Sequence, residues 1–150
     1  MVRPAPFSLR PATAQDAAAI KSLIHRVRIN PYGLDWRRFL VAVDRHGQMI
    51  GCGQLKPHAR DVVELASIAV LDEYRGRGVA RALIERLIAE GPRPLYLTCR
   101  SGLGPMYEKW GFRPMQMEEM PRYFKRLARI MSAVMGVFRD GERLLVMVLK

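Results

Sequence analysis

Cysteine is scarce: Cys52 and Cys99 are the whole complement of a 150-residue chain. Two thiols make no disulfide framework, and they lack the CxxC spacing of metal or redox motifs. No apolar run approaches the ~20 residues that span a bilayer. The opening Met1-Val2-Arg3-Pro4-Ala5-Pro6 has no signal-peptide apolar core, so a soluble protein of a reducing, cytoplasmic compartment is expected. Twelve Gly and ten Pro without a repeat exclude a collagenous or low-complexity chain, and 49% hydrophobic residues exclude disorder. Acids are in the minority, with 14 Asp+Glu against 25 Lys+Arg, a formal charge of +11. Such a surface attracts polyanions: nucleic acid, an anionic membrane or a phosphorylated cofactor. Composition does not choose among them.

What is present reads as one continuous domain over residues 1–150, of a length that buries roughly two-thirds of its unfolded surface. Phe7 to Pro11 predicts a strand. Thr13-Ala14-Gln15-Asp16 predicts a capped helix start, followed by the apolar stripe Ala17, Ile20, Leu23/Ile24 and Val27. Gly33 to Phe39 is read as a second short helix. Phe39 to Val43, the turn Asp44 to Gly47, and Met49 to Leu55 read as a hairpin, with Lys56-Pro57-His58 after it as a surface loop or, alternatively, a border of the acceptor cleft. A third strand is expected from Val62 to about Leu71.

The clearest helix runs from Gly78 to Glu90, with Val79, Leu83, Ile84, Leu87 and Ile88 on one face. Then come a strand at Leu95–Cys99, a short helix at Gly104–Trp110, a strand at Phe112–Met115, a helix at Pro121–Phe138 and a last strand at Leu144–Leu149. This order predicts an α/β (α+β) domain around a mixed sheet.

Between the third strand and the clearest helix lies Arg75-Gly76-Arg77-Gly78-Val79-Ala80-Arg81. Orphan N–H groups of a first helical turn, the helix dipole and glycines that admit close approach make such a turn an anion site. The dinucleotide fingerprint GxGxxG is excluded because Arg81 stands at its third glycine, and a Walker A loop because no Gly-Lys-Ser/Thr occurs. A plain strand-to-helix connection with flexible glycines is the bland alternative.

Ser67-Ile68-Ala69-Val70, then Arg75-x-x-Gly78-x-Ala80 and Leu83, resembles motif A of the Gcn5-related N-acetyltransferase (GNAT) superfamily. Met106-Tyr107-Glu108-Lys109-Trp110-Gly111-Phe112 resembles that family's tyrosine helix ending in Gly-Phe, and the element order matches from about Phe7 to Lys150. The resemblance implies a GNAT-like central twisted mixed sheet flanked by helices, and acetyl-CoA as cosubstrate. It puts the pyrophosphate on the amides of Gly76 to Arg81 and the pantetheine arm along Ile68, Ala69 and Val70. Direct transfer to an amine acceptor is implied, with no metal. Tyr107 would be the donor to the leaving thiolate. Glu64 takes the position used as base in the histone-acetyltransferase branch; a solvated glutamate at a strand start is its alternative. On a regular strand Glu64, Ala66, Ile68 and Val70 share one face. The position of the base in the bacterial ribosomal-protein acetyltransferases is here Thr98, which cannot act as one, and the family's usual asparagine is missing.

Other features have quieter readings. Cys99 sits in an apolar strand and reads as a buried structural thiol. Pro121 to Arg139 carries Arg122, Lys125, Arg126, Arg129 and Arg139 and no acid; it either packs its apolar stripe on its own sheet or offers a cationic face to RNA or another polyanion. Seven of nine methionines fall from Met106 onward, which suits an acceptor pocket, a homodimer contact or ordinary core filling alike. The second functional reading is therefore a catalytically weak GNAT-like domain that binds a polyanion.

Overall fold

The computed structural model describes residues 6–135 and 141–150. In chain order the elements are β1 (Phe7–Pro11), α1 (Ala17–Arg26), β2 (Phe39–Asp44), β3 (Met49–Ala59), β4 (Val62–Val70), α2 (Val79–Glu90), β5 (Leu95–Arg100), α3 (Gly104–Glu108), β6 (Arg113–Pro114), α4 (Arg122–Met135) and β7 (Leu144–Leu149). The strands form a mixed sheet in the order β1-β2-β3-β4-β5-β7-β6, an α/β architecture. No described helix is long and apolar enough to cross a membrane.

Two compact units divide these elements. The first holds the described residues up to Lys56 together with Leu65–Gly91. Its hairpin forms because Asp44 Oδ1 accepts from the amides of His46 and Gln48, both at 2.9 Å, while Gly47 takes φ +82°. The start of α1 is organised by Asp16, which accepts from the Thr13 amide at 2.7 Å. The same carboxylate takes both Arg10 nitrogens, at 2.7 and 3.0 Å. Ala14–Asp16 is a 3-10 turn leading into the helix. Ile20, Leu23 and Ile24 then pack with Phe39, Val41 and Cys52.

On β3 two glycines set how closely α2 approaches. A Cβ at Gly51 would meet Val79 Cγ1 at 3.0 Å, and one at Gly53 would meet Ile68 Cδ1 at 2.5 Å and Leu87 Cδ1 at 2.9 Å. Val79, Leu83, Ile84 and Leu87 are the buried face of α2, so the expected stripe is the one that packs.

The second unit holds Pro57–Glu64 and the described residues from Pro92 onward. Here β5 runs antiparallel to β7, with Tyr96 opposite Val148, Thr98 opposite Val146, Leu97 opposite Met147 and Cys99 opposite Leu145. Alternation divides these residues between two faces. Tyr96, Val146 and Val148 cluster with Phe124 of α4, joined by Tyr123 and Leu127. Phe124 and Leu127 of the α4 stripe therefore pack on the chain's own sheet, whereas Ile130 is exposed. The α4 cations Arg122, Arg126 and Arg129 are exposed, whereas Phe138 and Arg139 lie outside the described residues.

Five expectations change. Gly33 to Phe39 holds only a 3-10 turn at Trp36–Arg38, capped by the Asp35 carboxylate. The strand expected over Phe112–Met115 shrinks to Arg113–Pro114, and the helix over Gly104–Trp110 to Gly104–Glu108. Lys56-Pro57-His58 is strand, because β3 continues to Ala59 and turns at Arg60–Asp61. Finally, β4 is not regular: Ser67 adopts φ +60°, a left-handed conformation that breaks period-two alternation. Glu64 and Ala66, before Ser67, therefore do not line one face with Ile68 and Val70, after it.

Candidate active site

The first unit carries the anion cradle. Gly76 and Gly78 have φ of +77° and +82°, values open to glycine at little cost. A Cβ built on either would meet nothing within 4 Å. Gly78 is the N-cap of α2 and offers no capping side chain. The first intrahelical bond is Ala82 N–H to Gly78 O at 3.0 Å, so the amides of Val79, Ala80 and Arg81 have no acceptor within the helix. Free amides at a helix N-terminus, next to glycines with no side chain to crowd them, are what a phosphate needs.

The arginines are placed less simply than their sequence suggests. Arg75 pairs with Asp72 at 3.1 Å and Arg81 with Glu85 at 3.1 Å, while the Arg77 guanidinium lies over the Tyr74 ring, 5.4 Å from its centroid. All three are exposed. Exposed pairs of this kind contribute only ~0–1 kcal/mol, so a polyphosphate can recruit these cations cheaply.

Beside the cradle strand, Ser67 is held by a buried side chain that the sequence did not flag. Gln54 Nε2 donates to Ser67 Oγ at 2.8 Å and to Gly33 O at 3.2 Å. Lys56 Nζ donates to Tyr32 O at 2.9 Å. The loop around Asn30–Asp35 is thereby tied to β3.

In the second unit Glu64 is buried, 8% exposed, not solvated. Its Oε1 lies 2.6 Å from His58 Nε2 and its Oε2 accepts from Thr98 Oγ1 at 3.1 Å. The imidazole lies flat on Tyr123, centroids 3.7 Å apart and planes at 12°, with Phe124 edge-on at 5.7 Å. Burial, and then the Glu64 charge, push the Tyr123 phenol up. The sequence offers His58 only in a loop that could border the acceptor cleft and Thr98 only as a position that cannot be a base, and it does not flag Tyr123; the available signal for their meeting is the two-residue gap Arg60–Asp61, which turns one strand back on the next.

Tyr107 is buried among Trp110 and Phe112, ring centroids 6.0 Å from each. Burial, then nearby Cys99, push its phenol up to about 12. Cys99 belongs to the β5 face opposite to Thr98. Tyr107 and Glu64 thus lie on opposite faces of β5, and among the described residues they share no hydrogen bond or ring contact. The cysteines do no chemistry as thiolates: burial pushes Cys52 up to about 12 and Cys99 up to about 11, the latter helped by Glu142. Among the described residues no group of three or more His, Cys, Asp or Glu could hold a metal ion.

Three comparisons bear on this geometry. An uncharacterized N-acetyltransferase of Chlorobaculum tepidum is 34% identical over 91 residues, 57% of this chain and 56% of that protein. The chain thus matches little more than half the length of that relative. N-acetylglutamate synthase from Neisseria gonorrhoeae, solved with coenzyme A and N-acetyl-glutamate, superposes with a TM-score of 0.75 at 21% identity, covering 97% of this chain and 35% of that one. The ribosomal-protein-S18-alanine N-acetyltransferase of Escherichia coli gives 0.68 at 22%, covering 95% and 92%. At such identities the two solved structures speak to the fold alone. The family model described as "Acetyltransferase (GNAT) domain" matches residues 35–114, and with more than half of its length so matched, this chain belongs to the GNAT acetyltransferase family.

Proposed function

We propose that this chain moves an acetyl group from acetyl-CoA to an amine by direct transfer. The observation that carries the reading is the α2 N-terminus, where Gly76 and Gly78, with open space at their Cβ positions, precede the amides of Val79, Ala80 and Arg81, which have no acceptor in the helix. A pyrophosphate fits those donors, with Arg75, Arg77 and Arg81 around it and the backbone of Ile68, Ala69 and Val70 taking the pantetheine arm. The solved neighbour from Neisseria gonorrhoeae holds coenzyme A, in keeping with this assignment.

An acceptor amine is protonated near neutrality, so it must lose a proton before it attacks the thioester carbon. Glu64, with His58 on its carboxylate, is the proton-accepting centre. Burial keeps Tyr107 in its phenol form, a donor to the sulfur as the C–S bond breaks. An amine of a small molecule or of a protein is the acceptor class this chemistry defines.

The test is CoA-thiol release with acetyl-CoA and a panel of amines and peptides. Glu64→Gln and Tyr107→Phe should each lower kcat by ~10²–10⁴-fold, the usual contribution of a general acid or base. Wild-type kcat in both variants would remove these roles.

A further inference from the structure

His58 is buried, titratable and bound to the proposed base, yet the acetyl-transfer reading uses it only as a partner. Resting on that reading, we infer that the atom taking the acceptor's proton is His58 Nδ1, and that Glu64 is its positioning residue.

Taken as the carboxylate, Glu64 only accepts, so the imidazole nitrogen 2.6 Å from its Oε1 carries the hydrogen. The neutral ring is then the Nε2–H tautomer, and its lone pair lies on Nδ1. Glu64 cannot swing away, because Thr98 Oγ1 holds its second oxygen at 3.1 Å. The ring cannot turn, because Tyr123 covers its plane at 3.7 Å and Phe124 abuts its edge.

Glu64 offers little free surface of its own: both oxygens are engaged and its side chain is 10% exposed. Nδ1, by contrast, has no protein partner among the described residues. It is not a buried orphan either, since the one such described side-chain atom is Gln54 Oε1. Nδ1 therefore keeps some accessible surface, although the His58 side chain as a whole is only 7% exposed.

The step balances without another reactant. The acceptor ammonium gives one proton to Nδ1, forming an imidazolium that the Glu64 carboxylate stabilises. The neutral nitrogen forms the C–N bond, the C–S bond breaks, and the second N–H proton ends on the CoA thiol. Among the described residues the titratable groups facing the imidazole are Glu64 from β4 and Tyr123 from α4; β5 contributes the neutral Thr98.

Two measurements test this. The chain has three histidines, and His25 and His46 are exposed, so nitrogen NMR of the labelled full chain assigns the third by its loss in His58→Gln. His58 should hold the Nε2–H tautomer when neutral, and Glu64→Ala, which removes the acceptor, should release it. An Nδ1–H tautomer, or an imidazolium at every pH of the stable range, overturns the proposal.

The second measurement is kinetic, on any panel amine that the wild type acetylates. His58→Gln should lower kcat ~10²-fold, remove the acidic limb of the kcat/KM pH profile, and leave the CoA-induced rise in Tm intact. Added imidazole should restore rate to His58→Ala, which a purely structural histidine would not allow. An unchanged acidic limb overturns the assignment. Failure of CoA to raise the wild-type Tm would instead sink the acetyl-transfer reading, with the tautomer measurement still deciding the dyad.

Discussion

Replacing Gly78 by alanine separates the cradle's binding role from its folding role. Gly78 sits at φ +82°, ψ 9°, where an L-residue costs ~1–2 kcal/mol. Alanine also restricts the unfolded chain, which offsets ~0.4–1 kcal/mol of that cost. The new methyl meets no protein atom within 4 Å, so the net penalty should be about 1 kcal/mol, or about 2–4 °C in Tm for a chain of this size.

Binding should suffer more, since the methyl stands in the space through which phosphate oxygens reach the amides. CoA at about 100 times its Kd stabilises the wild type by ~2.7 kcal/mol. Each tenfold loss of affinity removes about 1.4 kcal/mol of that. Gly47→Ala is the control: it has φ +82° and equally open surroundings, in the β2–β3 turn. Thermal melts with and without CoA should show similar losses for both apo variants and a CoA response diminished only in Gly78→Ala. Equal CoA responses in Gly78→Ala and wild type would refute the cradle.

Three further outcomes follow from local geometry. Asp16→Asn should cost about 1–2 kcal/mol at neutral pH through the lost cap and charged hydrogen bonds, discounted because Arg10 is 39% exposed. Chiefly the Arg10 hydrogen bonds hold the Asp16 carboxyl below its usual range. Its contribution is thus present above the unfolded carboxyl value of about 4 and lost as pH falls through the lower folded one, so wild-type and variant Tm should converge in acid. Gly53→Val should destabilise by ~1–3 kcal/mol by overpacking against Ile68 and Leu87, measured by urea melts; a neutral result would mean that α2 does not seat on β3 there. With its phenol pushed up to about 12, Tyr107 should cause no alkaline fall in wild-type kcat near the ordinary tyrosine value of about 10. Such a limb, absent from Tyr107→Phe, would contradict the burial argument.

Much of the frame was legible because it rests on local signals. Leu144–Leu149 is strand because its apolar run is buried, and α2 starts at Gly78 because glycine alone enters the helix at that φ without strain. The turn at Asp44–Gly47 was readable because Asp44 and Gly47 have one chemistry there. What escaped depends on tertiary partners. Pro57 normally demotes a strand, so sequence alone ends β3 at Leu55 and leaves His58 in the segment beyond it. Nothing local to Ser67 announces φ +60°; Gln54, distant in sequence, holds its hydroxyl. Glu64 was found by resemblance to a family, but its engagement by His58 and Thr98 came only from packing.

Acetyl transfer itself is tested most directly by mass spectrometry of the amine panel after incubation with acetyl-CoA and the wild-type chain. The account predicts acetylated amine in equal amount to the CoA thiol released, at a rate that falls with Glu64→Gln. Thiol release without acetylated amine, or no turnover by a chain whose Tm CoA does not raise, would contradict it.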